Sequence, residues 1–340
     1  MSKDFDLLAL GEVLLRLSPP GDERLTRVQT LNQQVGGAEC NVLAGVSLLG
    51  LRTGIISKLP DNALGKFAKN RIRFLGVSDD YLTYDDADDA RLGIYFYETG
   101  AYPRKPQVVY DRKHTSMERI RPTDFPERIY SHTRAFHTSG ITLAINESAR
   151  SCAIEMIKHF KASKALISFD VNFRGNLWSG DEARECIEEL LPFVDIFFCS
   201  IETARLTFNK TGSDEEIMKS FTEEYPISVV CSTKRTVKSP KRHDFTSKIY
   251  SAKNDLFYEE SAYENIDVVD RIGSGDSYVA GVLYGLLSEP DDYMRALEYG
   301  NAYSAVKNTV PGDLPSSDKE EIDAVIAMHK GLDGGLEMKR

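Results

Sequence analysis

The chain has 340 residues, of which 41% are hydrophobic, and a formal net charge of −10 at pH 7. That length allows one large α/β domain or two smaller ones with ample apolar material for a core, and the charge argues against nucleic acid or an anionic membrane as a partner. The 5 cysteines are scattered without a C-x-x-C pair, the 6 histidines lack metal-ligand spacing, and no secretory or membrane-length apolar run is present, so a reducing, cytoplasmic setting is expected.

In chain order, Leu7–Glu12 reads as a buried first strand ending at a glycine. The segment Gly36-Gly37-Ala38-Glu39-Cys40-Asn41 leads into an apolar-periodic helix stopped by Gly50. A strand over Thr53–Leu59 and a helix over Ala63–Leu75 follow. The aromatic alternation of Arg91–Tyr97, followed by Gln107–Tyr110, predicts a hairpin rather than a βαβ unit. Val13, Leu15 and Leu17 alternate as well, so residues 12–35 and 88–114 are expected to form a small β-sheet lid within a domain spanning 1–330. Strands at Arg134–Gly140, Ala165–Asp170, Asp195–Ser200 and Ile227–Ser232 then alternate with helices at 146–162 and 181–191. Further helices are predicted after Asp276 and over Tyr293–Lys307, and residues 331–340 read as a frayed tail. The fold class is therefore α/β, a three-layer arrangement with a mostly parallel central sheet and a small lid. Ligands of such sheets bind beyond the carboxyl ends of the strands, which singles out Asp170, Ser200, Ser232 and the Gly273–Asp276 turn. An open lid sheet with exposed edges predicts a homo-oligomer, at least a dimer through the lid.

The run Asp270-Arg271-Ile272-Gly273-Ser274-Gly275-Asp276 lies between a short apolar stretch, Ile266–Val269, and a helix. Gly273 and Gly275 let the backbone approach a ligand, and the unpaired N–H groups of the helix start, with the positive end of its dipole, suit a phosphate. Asp276 accepts hydrogen bonds when ionised. Anion cradle plus acceptor is what phosphoryl transfer to a hydroxyl needs. A tight turn ending in a capping Asp is the bland alternative. A helix N-terminus lowers a carboxylate's pKa, so Asp276 is expected to be a weak base.

Taken together, Gly36–Asn41 with its helix to Gly50, the Leu59–Gly65 segment and Asp270–Gly281 resemble the ribokinase-like (PfkB) carbohydrate kinases. Within that family, Gly93-Ile94-Tyr95-Phe96, Tyr110-Asp111-Arg112 and Asp170-Val171-Asn172-Phe173-Arg174 through Trp178 are similar to segments of 2-keto-3-deoxygluconate kinases. The resemblance implies an ATP-dependent sugar-acid kinase using Mg2+, with Asp276, Gly273, Ser274 and Gly275 at the reaction centre. Gly36, Gly37, Asn41, Tyr95, Tyr110, Arg112, Asp170, Arg174 and Asp313 are implied on the substrate side. Ser200, Ser232, Lys234, Gly273, Gly275 and Asn301 are implied on the nucleotide side, with Glu202 the one candidate near the metal. Two segments depart from the family pattern. Ser200-Ile201-Glu202-Thr203 stands where Asn-x-x-Glu is usual, and Ser232–Lys238 lacks the usual glycine pair and reads as a basic loop.

Arginine matches a carboxylate in two-pronged fashion, so Arg112 and Arg174 favour an acidic sugar; the competing reading makes each a surface ion-pair partner. Tyr95 and Tyr110 could equally pack the lid. Asp170 is either a strand-end cap or a magnesium-associated acid. The basic group Lys234, Arg235, Lys238, Lys241 and Arg242 reads first as a solvated loop, and His137 as a satisfied buried histidine. A fructokinase- or ribokinase-like kinase of a neutral sugar, and a non-catalytic sugar-sensing relative, remain as alternatives.

Overall fold

The computed structural model describes residues 3–332, so the expected tail lies outside it beyond Leu332. The chain begins with β1 (Phe5–Leu10), β2 (Leu14–Ser18), β3 (Asn32–Gly36), α1 (Ala38–Leu48), β4 (Thr53–Pro60), α2 (Ala63–Phe74) and β5 (Ser78–Asp85). Next come β6 (Gly93–Glu98), β7 (Gln107–Asp111), β8 (Thr133–Ser139), α3 (Gly140–Leu143), α4 (Glu147–Ala162), β9 (Leu166–Asp170) and α5 (Gly180–Leu190). The rest is β10 (Ile196–Phe198), α6 (Ile201–Thr207), α7 (Asp214–Glu224), β11 (Val229–Ser239), β12 (Arg242–Ser251), β13 (Leu256–Glu259), β14 (Tyr263–Asp267), α8 (Ser274–Ser288), α9 (Tyr293–Lys307) and α10 (Lys319–His329).

The main sheet runs β13-β12-β11-β10-β9-β8-β1-β4-β5, with β14 also paired to β12. It is parallel from β11 to β5 and antiparallel across β12, β13 and β14. β1 shows why its sequence lacks polar alternation: Leu7 and Ala9 enter one core while Leu8 and Leu10 enter the other, so both faces are covered. Helices α1, α2, α8, α9 and α10 cover the first face, and α4, α5 and α7 the second. This is the three-layer α/β architecture. Strand order turns around at β1 and β8, one limb running to β5 and the other to β13. The chain leaves the sheet there at Gly11 and Ser139, beside the crevice where such sheets bind ligands.

A second sheet, β3-β2-β6-β7, stands over this end of the molecule. Its strands lie at residues 14–36 and 93–111. Its edge strand β7 is exposed at every residue, which is the open edge on which the expected subunit pairing rests.

The structure adds elements that the sequence reading did not anticipate, β12, β13, α6, α7 and α10, and departs from it elsewhere. The stretch Ser232–Lys238 is no loop: β11 continues through it to Ser239 and pairs with β12, Arg235 opposite Phe245, with the register shifting at Lys238. β5 was not expected, because Ser78-Asp79-Asp80 opens it with the polar composition of a loop; it is an edge strand, where charge is tolerated. The strand before Gly273 ends at Asp267, two residues earlier than the apolar run suggests, because it pairs only with the β12 hairpin arm.

Candidate functional site

Gly273 is the N-cap of α8 and takes a left-handed backbone, φ 80°. A side chain there would also meet the Asp313 carbonyl oxygen at 2.0 Å, so both conformation and space demand glycine. Gly275 is different. Its backbone is ordinary helix, and a Cβ added there would find nothing within 4 Å. The space beside the first turn of α8 is open, as a phosphate cradle requires.

The turn forms the floor of a cavity of about 670 Å³ under the small sheet. Asp276 points into it from the first turn of α8 and accepts a 2.6 Å hydrogen bond from Asn41 Nδ2 on α1. Burial pushes the Asp276 carboxyl up to about 6, against the opposing effects of the Asn41 bond and the Arg174 charge. The expectation of a weak base is thereby corrected: removal from water outweighs the helix N-terminus. Asp170, at the end of β9, accepts from Asn172 N at 3.0 Å and is pushed up to about 7 by burial and then by the Asp276 charge. It therefore caps its strand end and also faces the cavity.

Arg174 lines the same cavity and, among the described residues, has no carboxylate partner. Arg112 lines it too, but is ion-paired with Glu12, whose other oxygen accepts from Thr115 Oγ1 at 2.8 Å. Tyr110 stands beside it, its ring centroid 5.9 Å from that of Tyr95. The Tyr95 hydroxyl donates to Asp313, which also accepts from Arg16 Nη1 at 2.6 Å. Arg16 reaches on to Asp270. Lys307 lies beneath this group, fully buried, donating to the carbonyls of Asp270 at 3.1 Å and Val310 at 3.3 Å. Burial pulls its ammonium down to about 8. Gly36 borders Asp313 so closely that a Cβ would sit 2.1 Å from its carboxylate, and Gly37, φ 148°, caps α1.

Toward β11 lies a second cavity of about 680 Å³, lined by Ser200, Glu202, Ser232 and Lys234 among others. A channel bordered by Asp170, Arg174, Arg235, Ser274 and Gly275 shares walls with both cavities. Ser200 is the N-cap of α6, accepting from Thr203 N at 3.1 Å, and Glu202 follows in the first turn. Asn301 is placed differently from expectation. Its buried amide accepts from Ser247 Oγ at 2.7 Å and donates to Glu260 at 2.8 Å, so it supports two wall residues from behind. The basic group divides. Lys238, Lys241 and Arg242 pair with Asp244, Asp22 and Asp267 at the surface, while Arg235 turns into the channel. His137 is buried against Ser168 Oγ at 2.9 Å and pushed down to about 3.

The sequence reading missed Glu12, Arg16, Glu39, Arg271 and Lys307 as site residues. Glu39 had a signal, since it lies in the Gly36–Asn41 segment; it is buried and accepts from Ser139 and Thr142 at 2.6 Å and 2.8 Å. Arg271 had one too, since it lies in the Asp270–Asp276 run; Glu12, Arg16 and Lys307 had none, because each is defined by a partner far along the chain. Among the described residues no three His, Cys, Asp or Glu side chains gather to hold a metal, and no helix is long and apolar enough to cross a membrane.

Residues 4–320 match the family described as pfkB family carbohydrate kinase. The chain belongs to this family. It is a carbohydrate kinase, 34% identical over 98% of its length to the 2-dehydro-3-deoxygalactonokinase of Haloferax volcanii, of which 99% is covered. A 5-dehydro-2-deoxygluconokinase of Listeria monocytogenes is 24% identical over 96% of this kinase and 97% of the relative. Among solved structures, the 2-dehydro-3-deoxygluconokinase of Thermotoga maritima superposes with a TM-score of 0.90 at 30% identity, covering 96% of this kinase and 99% of that chain.

Proposed function

We propose that this kinase transfers a phosphoryl group from ATP to a hydroxyl of a 2-keto-3-deoxy sugar acid, with 2-keto-3-deoxygluconate as the substrate. The observation that carries the reading is Arg174. It is a guanidinium without a carboxylate partner among the described residues, in the same cavity as the Asp276 carboxylate, in a chain of net charge −10. An acidic sugar entering such a field needs a fixed cation, and a neutral sugar does not. The relatives named above act on sugar acids, which supports the same class. The galactonate epimer is the second reading, favoured by the 34% identity to the Haloferax volcanii kinase.

The sugar acid lies under the small sheet with its carboxylate on Arg174. The nucleotide lies along the second cavity with its phosphates in the channel past Gly275. Asp276 accepts the hydroxyl proton and aims that oxygen at the γ-phosphorus. Its pKa of about 6 leaves it ionised at neutral pH yet more basic than an exposed carboxylate. Most of the rate comes from positioning and charge stabilisation, since this transfer asks little covalent chemistry of the protein. The small sheet keeps water from the reacting centre. The residues suit a magnesium ion that arrives on the nucleotide: Asp170 and Glu202 border the channel, and no protein cluster competes for it among the described residues. Such an ion would neutralise phosphate charge.

The test is turnover over 2-keto-3-deoxygluconate, its galactonate epimer, 5-keto-2-deoxygluconate, fructose and ribose, repeated with Arg174→Lys. The variant keeps the charge but loses the planar fork, so KM for the acid should rise about tenfold, roughly 1.4 kcal/mol. KM for ATP should change little. Unchanged kinetics in the variant, or better turnover of fructose or ribose than of any acid, would overturn the reading.

A further inference from the structure

We propose that Arg235, flanked by Arg271 and Arg174, is a further catalytic residue that contacts the phosphoryl group in transit between nucleotide and sugar. The inference rests on the assignment of the channel past Gly275 to the phosphates. Arg235 borders the sugar-side cavity, the channel and the nucleotide-side cavity alike. Among the groups that react, only the transferred phosphoryl passes from one cavity to the other.

The strand geometry explains how Arg235 gets there. Side chains alternate along β11, and Cys231, Thr233, Arg235 and Val237 all face the channel. Residues of the opposite parity, Thr236 and Lys238, do not border it. Pairing with β12 fixes the backbone on both sides of Arg235. Its guanidinium is thus carried by a rigid element, as a preorganised electrostatic group should be.

The charge pattern is the second observation. Arg16, Arg112 and Arg242 each have a carboxylate partner. Arg235, Arg271 and Arg174 have none among the described residues, although they approach one another. Partial withdrawal from water in the cleft, then the charges of Arg271 and Arg174, hold the Arg235 pKa below its usual value. Arg174 also acts at longer range on Asp170 and Asp276, but no carboxylate pairs with the three guanidiniums among the described residues; arginine does not give up its proton in proteins, so repulsion remains until an anion enters. One substrate carboxylate matches one guanidinium. The three equatorial oxygens of the phosphoryl group supply the remaining acceptors, and planar N–H forks suit them. In the transfer, the bond from γ-phosphorus to the bridging oxygen breaks with its electron pair leaving on ADP. The bond to the acceptor oxygen forms, and that oxygen's proton passes to Asp276. Arg235 exchanges no proton; it stabilises charge on the oxygens in flight.

The experiment compares the full-length wild type with Arg235→Ala and Arg235→Lys, using whichever acceptor the wild type phosphorylates best. Arg235→Ala should lose on the order of 10²-fold or more in kcat, with the acceptor KM within about threefold. Arg235→Lys should recover part of the rate, and guanidinium chloride at millimolar levels should restore part of it to Arg235→Ala but not improve the wild type. By calorimetry, Arg235→Ala should lose more affinity for an ATP analogue with a non-transferable γ-phosphate than for ADP. Should the alanine variant fail to fold, Arg235→Gln, which keeps the stem and removes the charge, is read by the same measurements. A kcat within threefold of wild type, or equal losses of ADP and analogue affinity, would overturn the proposal; the latter makes Arg235 a nucleotide anchor. A wild type that turns over only neutral sugars defeats the sugar-acid reading while leaving this test intact.

Discussion

Asp276 shows how one carboxyl can be set by two opposed effects. Its place in the first turn of α8, the Asn41 hydrogen bond and the Arg174 charge favour the ionised form, and burial with the nearby Asp313 charge disfavours it. Burial wins, and the pKa rises to about 6. Turnover should therefore fall as pH drops through about 6, because the protonated acid no longer accepts the hydroxyl proton. The stability effect has the opposite sense. A carboxyl whose folded pKa exceeds its unfolded value favours the fold while protonated, and that contribution is lost as pH rises through the folded pKa. Asp276→Asn should thus lose about 10²- to 10⁴-fold in kcat while its melting temperature at pH 8 exceeds that of wild type. The gain should shrink toward pH 5. A variant within a few-fold of wild-type kcat would remove Asp276 from the mechanism. The identity of this residue was legible in the sequence because its turn is a local pattern. Its basicity was not, because the burial that raises it comes from elements far along the chain that fold over the turn.

At the scale of elements, the α8 turn carries two glycines for two reasons, and they should fail differently. Gly273→Ala meets a left-handed backbone and the Asp313 carbonyl at 2.0 Å, so it should lose stability, by roughly 1 kcal/mol or more from the backbone term alone. Gly275→Val meets neither, since its backbone is helical and its Cβ position is open. Valine is no worse than glycine in a helix, so the fold should melt within a few degrees of wild type. Its branched side chain would fill the cradle, and calorimetric affinity for ATP should collapse. A Gly275→Val protein that binds ATP normally would remove the cradle from the mechanism. The same scale shows where sequence reasoning stops. α9 lies at the bounds expected from the sequence, Tyr293–Lys307. The basic run after Ser232 looked like a loop because alternation of charged and small residues carries no apolar signal; only the partner strand β12 shows it to be a strand, and only the strand's parity separates Arg235 from Lys234 and Lys238.

For the whole molecule, the small sheet is joined to the main domain by a buried set of charges. Arg16 on β2 and Tyr95 on β6 reach down to Asp313, and Arg16 also holds Asp270, on the loops flanking α8 and α9. With Lys307 beneath, two cations face two carboxylates, and the Arg16 and Asp313 side chains are 3% and 4% exposed. The pairing brings residues 297 positions apart into contact, which is why no local pattern announced it. A buried pair of this kind adds little over a hydrophobic replacement of both partners, but removing one partner alone strands the other's charge. Arg16→Met should therefore destabilise the protein by about 3–5 kcal/mol, read as a lower midpoint in urea unfolding. The deficit should depend on pH in a defined direction. Burial already raises the Asp313 pKa and Arg16 opposes it, so without Arg16 it rises further. Protonation at low pH then relieves the unpaired charge, and the gap between variant and wild type should narrow as pH falls from 7 toward 5. Replacing both sides, Arg16→Met with Asp313→Asn, should recover part of the stability lost by the single variant. Activity should not recover, because the small sheet and the Gly36 wall are both placed against Asp313. A single variant as stable as wild type at pH 7 would mean that packing alone, and not this charge set, seats the small sheet over the site.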